Sequence, residues 1–414
     1  MEVGNGWRSN MLYNLEKDNF KKFISEWDID TEYVLFGASK ECVQFIRSID
    51  LLMGDGVLKI KYIVDHNTKD VTTIDSINEI SSFYRQSKQL ENTRKNLKLI
   101  HIDDFKDFDE KVIITTDEFK NDYKTYLESK NVKYTWYKNI SSIWPFEHKN
   151  ITHIFQSDVL VTERCNLNCS HCNMFIPHYE TPAHRNVDII INDIDLFFKK
   201  VDYVSIFHLV GGEPFLYPNI DGVISHIVNN YIHRIDKFII TTNGTATPKD
   251  TTLDLLKNNN VILSVSNYSN KLEKLKSKVT KNIENYVSHG IKHFVRNDIK
   301  WYDFGDLRVK KNLTTDELIK HFDSCTAPFR GLNSGKFYYC HLNTSAVSTK
   351  LFPLNKNDYV ELESVSNENL IKFDLGYTDL GYVTFCDNCN GCNTGIKIPV
   401  SYEKQGVREY DSHS

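Results

Sequence analysis

TERCNLNCSHC, residues 162–172, sets cysteines at 165, 169 and 172 directly behind the apolar run IFQSDVLV, residues 154–161. An apolar run bounded by polar residues reads as a buried strand, so the three thiols fall on the loop leaving its C-terminal end, where alternating α/β folds place their ligands. Three thiolates suit a soft metal centre. A closed zinc site takes four ligands, whereas an iron–sulfur cubane can be held by three cysteines with one iron left open.

Downstream of that loop the chain alternates helices and strands. A helical pattern around 188–200 precedes the strand YVSIFHLVGG (203–212), and a helix at 219–233 precedes KFIITTNG (237–244). TTLDLLKNN (251–259) is helical and VILSVSN (261–267) is again a strand. Alternation at this spacing predicts parallel strands with crossover helices, in a sheet that is open or closed into a barrel. From about residue 320 short strands and turns take over, with five cysteines at 325, 340, 386, 389 and 392. That region is expected to organise around metal more than around a large core, and a zinc site would use four of these cysteines equally well on spacing alone.

Upstream, YVLFGAS (33–39), KECVQFIRSIDLL (40–52) and IKYIVDH (60–66) read as strand, helix and strand. After a polar insertion at about 68–97, KVIITTDEF, NDYKTYLESKN and VKYTWY continue the alternation, which predicts a small doubly wound sheet. Its first turn carries one glycine, Gly37, where a dinucleotide fingerprint needs three, so bound NAD is not expected. Asp65 closes the second strand, as a ribose ligand or as a solvated strand end, and Cys42 reads as a small core residue. ISSIWPFEHKN (140–150), with its proline and polar exit, is expected to be a linker.

The 414 residues suffice for two or three domains, and 40% hydrophobic with 25% charged residues is the balance of ordinary folded protein. The N-terminus lacks the basic start and apolar stretch of a signal peptide, and the most apolar later run is broken by Asp193 and Asp195, so neither export nor a membrane span is expected. Clustered cysteines without an export signal point to thiolates kept for metal in a reducing cytoplasm. A net charge of −5 with dispersed lysines gives no footprint for nucleic acid. The tail at 401–414 is polar and expected to be flexible.

With its cysteine triplet the chain resembles the radical S-adenosylmethionine (SAM) enzymes, whose signature is this spacing in the loop after the first strand of a partial (β/α)6 barrel. The resemblance implies a [4Fe-4S] cluster on Cys165, Cys169 and Cys172 whose open iron chelates SAM. GGEP (211–214) matches the family's GGE motif, which implies SAM contacts at Gly211, Gly212 and Glu213. TTNGT matches its TNG stretch and implies Thr242 and Asn243 beside SAM. Ser266 or Asn267 is implied at the ribose or carboxylate, and His171 at a position near adenine where the family often has an aromatic residue.

The later cysteines follow the pattern C-x14-C-x45-C-x2-C. This resembles the twitch module, a shortened SPASM extension in which four cysteines hold one auxiliary [4Fe-4S] cluster, and it implies ligands at Cys325, Cys340, Cys386 and Cys389. Cys392 is left over, as a substitute ligand, a free thiol or a hydrogen-atom donor. The expected organisation is therefore an N-terminal Rossmann-like α/β domain at 1–145, a TIM-like radical SAM partial barrel at 150–320 and a cysteine-rich twitch domain at 321–400. The implied activity is radical oxidation or epimerisation of a carbohydrate- or cyclitol-like small molecule, with a flavodoxin- or ferredoxin-type electron donor. Maturation of a ribosomally made peptide is the alternative, and a zinc-stabilised interaction protein is a third reading. His178, His208 and Asp303 are candidate polar residues of the substrate cavity.

Overall fold

The computed structural model describes residues 19–66, 97–117, 120–169, 171–269, 273–297, 300–325, 329–392 and 397–399. Nearly all of the insertion at 68–97, and the tail at 401–414, lie outside them. The chain divides into two compact units. The first holds the residues up to Phe155 with Val201–Ser205 and Asn367–Tyr377, and the second holds Gln156–Lys200, Ile206–Ser366 and the residues from Thr378 on.

The first unit opens with α1 (Asn19–Glu26), β1 (Glu32–Phe36), α2 (Lys40–Met53) and β2 (Lys59–Asp65). It continues through β3 (Leu99–His101), β4 (Val112–Ile114), α3 (Lys120–Ser129), β5 (Tyr134–Trp136) and α4 (Tyr137–Lys149). The strands pair in parallel in the order β3-β2-β1-β4-β5, the doubly wound arrangement expected from the alternation. Apolar runs suit strands covered on both faces, and Val34, Phe36, Val64, Val112 and Ile114 form one core with Phe105, Tyr123 and Leu127. Gly37 ends β1 with φ +108°, and a Cβ there would stand 2.8 Å from Thr116 Cγ2, so the turn requires glycine. Asp65 does not dangle in solvent: its Oδ2 accepts the Ala38 amide at 2.7 Å and closes the same turn.

The linker expected at 140–150 is a helix. Tyr137, Ile140, Ile143 and Trp144 are buried along one stripe of α4, and Trp144 Nε1 donates to Trp27 O at 2.7 Å. Pro145 sits inside this helix, and the chain leaves it at Asn150 in the left-handed conformation, φ 54°. The apolar stripe outweighs the helix-breaking tendency of the proline, so the boundary falls at the asparagine.

The second unit is built on β6 (His153–Leu160), α5 (Val187–Lys200), β7 (Tyr203–Val210), α6 (Ile220–Tyr231), β8 (Ile235–Thr242), α7 (Asp250–Asn258), β9 (Ile262–Ser266), α8 (Glu273–Ser288) and β10 (His293–Arg296). After β11 (Lys300–Tyr302) and α9 (Thr315–Ser324) come β12 (Gly331–Asn333), β13 (Lys336–Tyr338), α10 (His341–Ser348), β14 (Tyr359–Glu361) and β15 (Lys397–Pro399), while α11 (Asn367–Asp374), between the last two, belongs to the first unit. The sheet order is β10-β9-β8-β7-β6-β12-β13-β14, with β8, β9 and β10 parallel, β12 parallel to β6, and β13 and β14 turned antiparallel. This is the wall of a partial barrel, unclosed among the described residues, whose strand ends carry the cysteine loop and the motifs that follow it. No helix among the described residues is long and apolar enough to cross a membrane.

Candidate functional site

The cysteine loop leaves β6 and is locked to the end of β7 by main-chain bonds: Gly212 N donates to Thr162 O at 2.7 Å and Glu213 N to Arg164 O at 2.9 Å. This approach explains both glycines. A Cβ on Gly211 would stand 2.7 Å from Thr162 O, and one on Gly212 would stand 2.2 Å from Arg164 O. Any side chain would push the two loops apart.

Glu213 is fully buried, and it turns into this scaffold rather than into the cavity. Its carboxylate accepts from Thr242 Oγ1 at 2.8 Å, Asn243 N at 2.8 Å and Phe215 N at 3.2 Å, and burial pushes its pKa up to about 7. Asn243 ties the loops from the other side. Its Nδ2 donates to Asn166 Oδ1 at 2.9 Å and to Cys165 Sγ at 3.7 Å, while Asn166 Nδ2 donates to Thr245 Oγ1 at 2.7 Å. Asn166 escaped the sequence reading, although its place inside the cysteine triplet was a signal.

Cys165 and Cys169 are buried and Cys172 is partly buried, in an apolar setting of Leu160, Met174, Val210 and Tyr268. Burial pushes all three thiols up, and the neighbouring Glu213 carboxylate adds to the effect at Cys165. Cys165 Sγ also accepts from Leu167 N at 3.4 Å. Buried thiols that receive N–H bonds fit an iron–sulfur centre, because a bound metal reverses the penalty on the thiolate and amide donors to sulfur tune it. Among the described residues no three His, Cys, Asp or Glu side chains converge as they would on a single metal ion.

All three cysteines line a cavity of about 400 Å³, the size of a small-molecule site. Its rim holds Gly211, Gly212, Thr242, Asn243 and Ser266, which the sequence singled out, and Arg296, which it did not. Arg296 donates to Ser266 Oγ at 2.9 Å, from the last residue of β10 to the last of β9. His171 is exposed and absent from the described wall, as is His178. Asp303 also lies off the wall, whereas His208 lies on it. Below the rim, alternate residues of the strands face inward: Gln156 and Asp158 from β6, Ile206 and His208 from β7, Ile239 and Thr241 from β8, and Ser264 from β9. Asp158 is buried, yet His208, His341 and Gln156 hold its pKa below the usual carboxylate range.

The later cysteines come together from separate elements. Cys325 ends α9, Cys340 caps α10, Cys386 lies within the 3-10 turn Thr384–Asp387 and Cys389 follows it; the four line one small cavity with His321, Phe322 and Leu342. Cys389 Sγ accepts from Gly391 N at 3.3 Å. His321 Nε2 stands 2.8 Å from Cys389 O, and Lys311 Nζ donates to the same oxygen. Burial pushes the Cys340, Cys386 and Cys389 thiols up. Cys392 adjoins these thiols: it hydrogen-bonds Cys325, which with burial pushes its own thiol up, and it also lies on the wall of the large cavity.

Residues 159–300 match the model of the radical SAM superfamily, and the chain carries a radical SAM domain there. It is similar to the GTP 3′,8-cyclase of Campylobacter jejuni subsp. doylei, 26% identical over 277 residues, covering 61% of this chain and 82% of that one. Among solved structures it resembles native anSMEcpe with bound AdoMet and Cp18Cys peptide (12% identity, 60% of this chain, 93% of that chain, TM-score 0.39). In another structure of anSMEcpe with bound AdoMet, carrying a histidine tag, the match covers 42% of that chain. It also resembles BtrN in complex with AdoMet and 2-DOIA (14% identity, 58% and 94%, TM-score 0.37). These structural likenesses are too slight to support an argument about substrate.

Proposed function

We propose that this chain is a radical SAM oxidoreductase that dehydrogenates, or epimerises, a hydroxyl-bearing carbon of a carbohydrate- or cyclitol-like molecule. The observation that carries the reading is the three-thiol loop opening on the same cavity as a polar layer of strand residues, with Cys392 on that cavity's wall and hydrogen-bonded to Cys325 of the four-thiol pocket. Cys165, Cys169 and Cys172 would hold a [4Fe-4S] cluster, and Gly211, Gly212, Asn243, Ser266 and Arg296 offer main-chain and side-chain partners to SAM. The chemistry supplied by that cluster and SAM is one-electron cleavage of SAM to a 5′-deoxyadenosyl radical able to abstract hydrogen from an unactivated carbon. Cys325, Cys340, Cys386 and Cys389 would hold an auxiliary cluster closed by four thiolates, suited to accepting an electron rather than binding substrate. A flavodoxin- or ferredoxin-type protein would supply reducing electrons.

The protein's own work is positional. The Gly212–Arg164 approach holds the loops together, Glu213 and Asn243 brace them from behind, and the apolar residues around the thiols exclude water. Cys392 divides the two outcomes: an epimerase using its thiol as hydrogen donor loses turnover in Cys392→Ala with both clusters intact, whereas a dehydrogenase keeps it.

A second reading, ring closure on a nucleoside triphosphate, is favoured by the GTP 3′,8-cyclase relatives. Against it, Arg296 is the one arginine or lysine among the described wall residues, and Asp158 adds a negative charge, a poor match to a polyanion. Peptide maturation is a third. The test is 5′-deoxyadenosine release by anaerobically reconstituted, reduced protein with SAM and myo-inositol, GTP or a peptide digest. Stimulation by the polyol supports the proposal, stimulation by GTP or peptide alone replaces it, and no SAM cleavage under any condition overturns it.

A further inference from the structure

One polar cluster in the wall is used neither by the cysteine loop nor by the rim. Asp158 is 4% exposed, two residues before the end of β6, where its main-chain N donates to Arg330 O at 2.7 Å and β12 fixes it in register against Gly331. Gln156 Nε2 donates to its Oδ1 at 3.0 Å. Two imidazoles flank the carboxylate: His208 Nδ1 stands 3.4 Å from Oδ1 and His341 Nδ1 stands 3.9 Å from Oδ2. Neither Nδ1 makes a hydrogen bond among the described residues. The far side of the His208 ring is fixed, with Nε2 2.7 Å from Thr241 Oγ1, and His341 is 5% exposed with Phe329 against its edge. Gln156, Asp158, His208, Thr241, Phe329 and His341 all line the large cavity.

Buried imidazole nitrogens without hydrogen bonds are costly, and facing an open cavity they are positions waiting for a partner. The 3.9 Å gap between His341 Nδ1 and Asp158 Oδ2 is too wide for a direct hydrogen bond. It suits one hydroxyl oxygen that accepts from the imidazole N–H and donates to the carboxylate. A hydroxyl is both donor and acceptor, which a carboxylate or a phosphate ligand is not, and those anions would be repelled by Asp158. On the other side His208 Nδ1, 3.4 Å from Oδ1, pairs with the carboxylate and holds it in place, so the cluster presents one hydroxyl position, between His341 and Asp158, in the large cavity.

We infer that Asp158 and His341, with His208 holding the carboxylate, form the substrate-recognition subsite of this cavity, taking a hydroxyl group of a polyhydroxylated ring. This rests on the reading of the cavity as the site of a hydroxylated substrate. Thr241 acts as a positioning residue, through the His208 ring.

The test is equilibrium binding of myo-inositol and D-glucose to the reconstituted protein, without reductant or SAM, by calorimetry and saturation-transfer NMR. Wild type binds at least one of the two rings. Asp158→Asn, which keeps the shape and removes the negative acceptor, weakens binding at least tenfold, with iron content and melting temperature unchanged. Thr241→Val weakens it a few-fold and serves if Asp158→Asn does not fold, and His178→Gln, off the wall, leaves it unchanged. Binding of neither ring by wild type, or equal binding by wild type, Asp158→Asn and Thr241→Val, overturns the assignment. A protein that binds the polyol through Asp158 but never cleaves SAM would overturn the radical reading and leave this subsite standing; one that cleaves SAM but binds the ring independently of Asp158 and Thr241 does the reverse.

Discussion

The two groups of cysteines in the second unit differ in how they are made. Cys165, Cys169 and Cys172 lie on one loop after one strand and face a cavity of about 400 Å³. Cys325, Cys340, Cys386 and Cys389 are gathered from the end of one helix, the start of another and a 3-10 turn, around a cavity too small for a substrate. Three thiols would leave a cubane one iron open toward the large cavity, whereas four would close it. In the proposed function the same side-chain chemistry would serve two tasks, a reactive centre and an electron acceptor.

Replacing Cys165, Cys169 and Cys172 together by Ala should break the comparison most severely. SAM cleavage is expected to vanish while the four-thiol centre keeps its iron, as read by 5′-deoxyadenosine release beside absorbance of the cluster. Cys386→Ala should do the opposite, leaving SAM cleavage within about threefold of wild type but lowering product formation by about 100-fold, the scale of losing a metal ligand's support. Equal damage to both activities would mean that the two centres are not functionally separate.

The difference between the two groups also decides what the sequence could show. The triplet, GGEP and TTNGT are contiguous, and each follows its strand, so local spacing exposes them. The dispersed four are legible only through a known spacing pattern, because nothing local marks Cys325 and Cys340 as neighbours. Arg296, Asp158 and His341 went unread for the same reason: each is a single residue whose meaning comes from a facing strand or helix. A signal existed for Asp158 and His208, since both lie two positions before a strand end and must point inward together. In the first unit the doubly wound sheet was plain from its alternation, but Pro145 disguised a buried helix as a linker, and Asp65 proved to close the Gly37 turn.

Two smaller effects sharpen the account of what braces the triplet. Burial raises the Glu213 pKa from its ordinary 4.5 to about 7, so the folded chain holds this proton more tightly than the unfolded one. Its contribution to stability is complete below about pH 4.5 and lost as pH rises through about 7, a difference of about 3 kcal/mol in the cluster-free protein. Denaturant unfolding across that range should show the slope in wild type and lose it in Glu213→Gln; equal slopes would place the titration elsewhere. Thr242→Val removes the donor to Glu213 Oε1 and should destabilise the protein by about 1–2 kcal/mol, read as a shift of the denaturant midpoint.

The most direct test of the central claim, two centres of unlike construction in one unit, is the iron and acid-labile sulfide content of anaerobically reconstituted protein. The account predicts about eight iron and eight sulfide per wild-type chain, and about four of each both in the Cys165/Cys169/Cys172→Ala variant and in Cys386→Ala, each cubane holding about four. Zinc in place of iron, or a variant that loses all its iron with the first three cysteines, would contradict it.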